Sequence, residues 1–208
     1  MASMPTFQSQ DFDVFTIPGL EPRMKALIER VRPKLHQIGD SLVPWLSAAC
    51  GEPMFPHVAK HARRSVHPPQ DTWVAWSSSK RGYKALPHFQ LGLWSTHLFI
   101  QFAIIYECDR KVAFAEHAID QLADIRKRIP DGYFWSGDHM DPSFTLGRDL
   151  SDEQLKALLE RLRTVKKAEL LCGIELKRDD ARLNDPKALE GLLESTFETV
   201  MPLYRMAL

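Results

Sequence analysis

Cysteine is scarce in this chain of 208 residues: the three present, Cys50, Cys108 and Cys172, are odd in number, far apart and never in C-x-x-C spacing. That excludes a disulfide framework and a cysteine-built zinc ribbon, and it suits buried thiols in a reducing compartment. Net charge is lacking too, with 27 basic against 27 acidic side chains, so no chain-wide field favours nucleic acid or an acidic membrane. The longest apolar run, "LFIQFAIIY" at 98–106, is interrupted by Gln101 and too short to span a bilayer. The opening "MASMPTFQSQDFDVF" contains acids and no basic segment ahead of an apolar stretch. No signal peptide is expected there, and the cytoplasm is the expected location. Neither G-x-x-x-x-G-K-[ST] nor G-x-G-x-x-G occurs, which removes support for an ATPase or a Rossmann cofactor. G-x-S-x-G and H-E-x-x-H are missing as well.

What is present is an ordinary globular composition, 44% hydrophobic and 26% charged, long enough to bury one core over residues 1–208 as a single domain. Met24, Leu27, Ile28, Val31, Leu35 and Ile38 recur at helical spacing, with Gly39 as a stop and Pro33 expected to kink or split the helix. A shorter helix is expected from Ser41 to about Ala49. Residues 54–106 alternate in the manner of strands, three or four of them. Helical patterning returns with a stripe of Val112, Ala115, Ile119, Leu122, Ile125 and Ile129, then again behind a capping box formed by Ser151 and Gln154, and finally from Pro186. "YFWSG" and "AELLCGIEL" read as further strands. Helices at both ends of a strand-rich middle predict an α+β fold, a single domain with a mainly antiparallel or mixed central sheet and helices packed on one face.

The pair "HFQLGLW" and "HLFIQFAII" flanks Ser95-Thr96, and a hairpin tip there sets Trp94 opposite His97 and Gln90 opposite Gln101. A period of two then sends Phe89, Leu91, Leu93, Leu98, Ile100, Phe102 and Ile104 to a core face. The other face carries His88, Gln90, Gly92, Trp94, His97, Phe99 and Gln101, a mixture that predicts a wet, partly covered cavity.

The blocks "DFDVFTIPGL", "HVAKHARRSVHPPQDTWVAW", "KRGYKALPHFQLGLW" and "FWSGDHM" resemble the YktB-like family of bacterial proteins, a domain-of-unknown-function family found in Bacillus relatives. The resemblance covers nearly the whole chain. It implies a compact cytosolic α+β domain and carries over no activity, cofactor or catalytic residue.

Chemistry must therefore be read from the side chains. His57, His61 and His67 are spaced for metal only on a helix, and Lys60, Arg63 and Arg64 beside them oppose a cation. No metal is assigned, and the cofactor is unknown. Arg63, Arg64, Lys80, Arg81 and Lys84, with Lys60, face a single local acid, Asp71; arginine forks and lysine point charges suit a small anionic or phosphorylated ligand. "SSSKRGYK" adds hydroxyl and N–H donors. Tyr83 and neighbouring aromatics could stack on a base, while His88, Gln90 and Gln101 would orient the ligand from the cavity face. The bland alternative is a solvated loop with scattered cations. In "GDHMD", Asp138 and His139 form a candidate acid–base pair, although aspartates in such loops often only cap backbone N–H groups. Three functions stay open: binding of a small anion, an enzyme using Asp138 and His139 on that ligand, or nucleic-acid or protein association through the basic 57–84 segment.

Overall fold

The computed structural model describes residues 3–208. In chain order it comprises α1 (Ser9–Asp13), α2 (Leu20–Ala26), α3 (Arg32–Cys50), β1 (Phe55–Val58), β2 (Asp71–Ser77), β3 (His88–Trp94), β4 (His97–Ile104), α4 (Lys111–Asp120), α5 (Leu122–Arg128), β5 (Phe134–Ser136), β6 (Thr145–Leu146), α6 (Asp152–Thr164), β7 (Leu170–Lys177) and α7 (Pro186–Met206). The strands form one sheet in the order β1-β2-β3-β4-β7-β5-β6, with β5 antiparallel to both β6 and β7. This is the α+β fold that the patterning predicts. No helix of the described residues is long and apolar enough to cross a membrane.

Contacts divide the chain into two compact units. The first takes the chain up to Trp76, with Gln90–Phe99 and Glu175–Glu194. Its core is built from Phe7, Phe12, Leu35, Ile38, Leu42, Trp76, Leu91 and Leu98, among others. Here Gly39 does not stop a helix. It lies inside the 19-residue α3, where a Cβ would stand 3.1 Å from both Pro56 and Val74, so the glycine lets β1 and β2 approach closely. Trp76 Nε1 donates to the Gly39 carbonyl at 2.9 Å, fixing the approach. The two helices expected on either side of Gly39 are thus one, with Pro44 inside it.

Pro33 acts as expected by a specific route. The turn Leu27–Val31 ahead of it is a π turn, closed by Arg32 N–H donating to the Leu27 carbonyl. Pro33 then falls in the first turn of α3, where its missing N–H is not needed.

The second unit takes Ser77–Phe89, Ile100–Ile174 and Ser195–Leu208. Phe89 is its hub, with ring centroids 6.2 Å from Phe102, 4.9 Å from Phe197 and 5.0 Å from Tyr204. A smaller core of Ala103, Ile105, Phe134 and Leu171 is covered by Phe144 and Leu146. The single helical stripe expected from Val112 to Ile129 is broken at Gln121, and Val112 is 44% exposed. The face that α4 buries is Lys111, Phe114, Ala115 and Ala118. α4 packs on α6, whose first turn carries the expected capping box of Ser151 and Gln154.

The hairpin turns at Ser95 and Thr96, and all seven residues of its predicted core face are fully buried. The Phe99 ring lies against Gly92, with Cε1 2.8 Å from where a Cβ would stand, as the register pairing Trp94 with His97 requires. The opposite face departs from expectation. His88, Gln90, Phe99 and Gln101 are at most 6% exposed, so this face is more completely covered than the polar patterning suggests.

Candidate active site

The loop after β5 and the strand β7 bring together a carboxylate and an imidazole. Glu169, just ahead of β7, is 5% exposed. Its Oε2 accepts from His139 Nδ1 at 2.7 Å and from the His139 backbone N–H at 2.9 Å, and its Oε1 accepts from the Tyr106 N–H at 3.3 Å. Burial alone pushes the Glu169 carboxyl up, but the donors outweigh it and hold the group below the usual carboxylate range. An ionised Glu169 needs a proton on Nδ1, which makes Nε2 the basic nitrogen of a neutral His139 ring.

Lys111 supports the pair from below. The residue is 8% exposed, and its ammonium donates to the carbonyls of Val165, Lys166 and Ala168 at 2.8, 2.7 and 3.1 Å. These carbonyls belong to the turn that follows α6, where the Val165 carbonyl also accepts from the Ala168 N–H at 3.1 Å. Desolvation lowers the lysine's pKa, and the charge of Glu169 acts against that. A side chain of α4 thereby pins the segment that delivers Glu169.

The hydrogen bond from His139 Nδ1 goes to Glu169, whereas Asp138 is engaged in its own loop. Its Oδ1 accepts from Met140 N–H at 2.8 Å, and Asp141 Oδ1 accepts likewise from Ser143 N–H, both turn-capping roles of the bland kind. Asp138, His139 and Glu169 nevertheless each offer one ligand atom, all within 4.8 Å of one another. In the sequence Glu169 shows only as part of the strand pattern "AELLCGIEL". A lone acid heading the apolar run "LLCGI" is the one local signal it leaves.

The basic segment reaches the same region of the second unit. Lys84 Nζ meets Glu107 Oε1 at 3.0 Å, and the Glu107 carboxylate raises the Tyr106 hydroxyl pKa chiefly through a hydrogen bond. Tyr106 in turn supplies a donor to Glu169. Asp109 N–H bonds the Ala85 carbonyl at 3.1 Å, tying the two loops together. Lys80 and Arg81 are exposed on the turn ahead, and Ser79 Oγ accepts from Arg81 N–H at 3.1 Å. Tyr83 stacks edge-on to His88 at 4.8 Å, and His88 Nδ1 lies 2.8 Å from the Leu86 carbonyl.

Arg63 and Arg64 belong to the first unit. Arg63 is exposed and Arg64 bonds the His67 carbonyl at 3.4 Å. His61 is committed to Thr72 Oγ1 at 3.2 Å and to the edge of Trp73, and burial followed by the charges of Arg64 and Arg32 lowers its pKa to about 4. Gln90 and Gln101 are buried in the first and second units respectively.

A family model described as "Domain of unknown function (DUF1054)" matches residues 7–204. The chain belongs to this family. A UPF0637 protein of Bacillus velezensis is 53% identical over 201 residues, spanning 96% of this chain and 95% of that relative. UPF0637 proteins of Bacillus cereus and Bacillus thuringiensis are 48% identical over 204 residues, 98% of both chains in each case. The Bacillus resemblance drawn from the sequence blocks is thereby established for the full fold. Among solved structures, a conserved hypothetical protein from Pyrococcus furiosus matches with a TM-score of 0.42 and 12% identity over 86% of this chain and 95% of its own.

Proposed function

We propose that this family member is an enzyme acting on a small anionic substrate, with His139 as general base, Glu169 as its orienting carboxylate and the Lys80–Lys84 turn as the source of positive charge. The observation that carries the reading is the 2.7 Å bond from His139 Nδ1 to a buried, ionised Glu169. A carboxylate at that position fixes the tautomer, holds the ring and stabilises the imidazolium that forms when Nε2 takes a proton. The side chain of His139 is 25% exposed, which leaves it within reach of solvent and substrate. Lys80 and Arg81, exposed on the turn ahead of Lys84, favour a substrate of negative charge.

Long-range nitrogen NMR of His139 tests this, with inorganic phosphate as the probe. The expected result is an Nδ1-protonated ring at neutral pH whose signals move on adding phosphate, with the response lost in a triple change of Lys80, Arg81 and Lys84 to Gln. An Nε2-protonated ring, or no response to phosphate, would defeat the proposal. A second reading has the 4.8 Å grouping of Asp138, His139 and Glu169 in its favour: these side chains would hold a divalent cation through one nitrogen and two oxygens. Calorimetric titration with zinc decides it, since that reading requires stoichiometric binding abolished by Glu169→Gln.

A further inference from the structure

A separate cavity of about 430 Å³ lies in the first unit, lined by Thr96, His97, Glu175, Lys177, Arg178 and Asp179. It is built on the hairpin turn and the end of β7, and it is independent of the His139 pair. His97 is its deepest group, with a side chain only 10% exposed. Nδ1 of His97 lies 2.8 Å from Thr96 Oγ1, and among the described residues Nε2 meets no hydrogen-bonding partner. Nε2 is not sealed in either, because the atom found both fully enclosed and unpartnered is Thr196 Oγ1. The nitrogen therefore keeps solvent access on a ring that lines the cavity.

Glu175 shares this condition. Its carboxylate stands 3.9 Å from His97 Nδ1, too far for a hydrogen bond, and no other described residue donates to it. Partial burial raises its pKa, and burial lowers that of His97 to about 4. Glu175 is thus a partly desolvated acceptor with no hydrogen-bond donor, and His97 Nε2 is a second when Nδ1–H donates to Thr96 Oγ1; an incoming donor relieves both. The cations nearby do not supply such a hydrogen bond, although the charge of Lys177 acts against the rise at Glu175. Arg178 is committed to Asp13 Oδ1 at 2.6 Å, to the Ser9 carbonyl at 3.0 Å and to the Ser95 carbonyl at 3.4 Å. Lys177 is exposed at the rim.

We propose that this cavity binds a small organic ammonium group, held by the Glu175 carboxylate and the His97 imidazole. An anion would face Glu175 and Asp179 without a free arginine to meet it. A divalent metal would find one imidazole, few carboxylates and two cationic side chains around it, a poor set for a hard ion. An ammonium offers several N–H donors and one charge, which matches a carboxylate beside a neutral imidazole. The same group can come from a simple amine or from an amino acid. In the second case Lys177 is placed to take the carboxylate.

The test follows the His97 ring and the Thr96 and Lys177 amides by NMR while methylammonium, putrescine, glycine and acetate are titrated in turn. Movement with the amines and glycine but not with acetate is expected. Stronger binding of glycine than of methylammonium identifies an amino acid site, and the reverse a site for amines. Glu175→Gln should weaken ammonium binding about tenfold or more, about 1.4 kcal/mol. Lys177→Glu, at an exposed position that spares the fold, should strengthen methylammonium binding and weaken glycine relative to it. Failure of every amine to perturb His97, an equal response to acetate, or methylammonium affinity unchanged by Lys177→Glu would each overturn the proposal.

Discussion

An amine buried against three backbone carbonyls, as Lys111 is, does two jobs with one side chain. It bonds the carbonyls of the turn after α6 and holds the chain that carries Glu169. Lys111→Met keeps the length of the stem but removes the ammonium those carbonyls share, at a cost on the order of 3 kcal/mol. It should lower the urea midpoint accordingly and also disturb the His139 tautomer, whereas a merely structural lysine would move stability alone. Half of this site was legible from sequence. His139 stood out because an imidazole between acids in a Gly- and Pro-flanked loop is a recognisable arrangement. Glu169 did not, because its partner lies 30 residues away and only tertiary contact makes a strand-edge acid into an orienting carboxylate.

Elements were easier to read than their ends. The hairpin and its buried face followed from alternation alone, since a period of two fixes the facing of every side chain once the turn is placed. The long helix α3 did not, because a glycine at helical spacing carries the same local signal whether it ends a helix or admits a neighbour. Gly39→Ala tests whether the neighbour matters. At a left-handed helix stop alanine would be strained, but Gly39 lies inside α3, and in an open helix interior alanine would stabilise by up to about 1 kcal/mol. Here a Cβ would stand 3.1 Å from both Pro56 and Val74, so Gly39→Ala should lower the thermal midpoint instead. A raised midpoint would show that β1 and β2 can retreat at little cost.

For the molecule as a whole, acid is the revealing perturbant. His61 and His97 have pKa values of about 4 in the folded state against 6.5 in the unfolded chain. Above pH 7 both states leave these rings neutral, and neither affects stability. Between pH 6.5 and 4 only the unfolded state takes up their protons, so stability falls with pH across that window. Each unit of separation corresponds to about 1.4 kcal/mol, with less from His61, which is only partly buried and is screened by water. Glu169, lowered, loses stability in the same direction through its folded value, and Glu175, raised, acts oppositely above 4.5. Denaturant titrations at pH 7.5 and 5 should show a clear loss for the wild type and a smaller one for His97→Gln. Equal losses would mean that His97 is not held neutral. The make-up of the first unit has a further consequence, for synthesis on the ribosome. Phe7 bonds the Leu183 carbonyl and Arg178 bonds Asp13, so the first residues translated wait for partners made near the end. Emergence of the first 76 residues cannot complete that unit, and its amino-terminal helices lack these partners until Glu194 has left the exit tunnel.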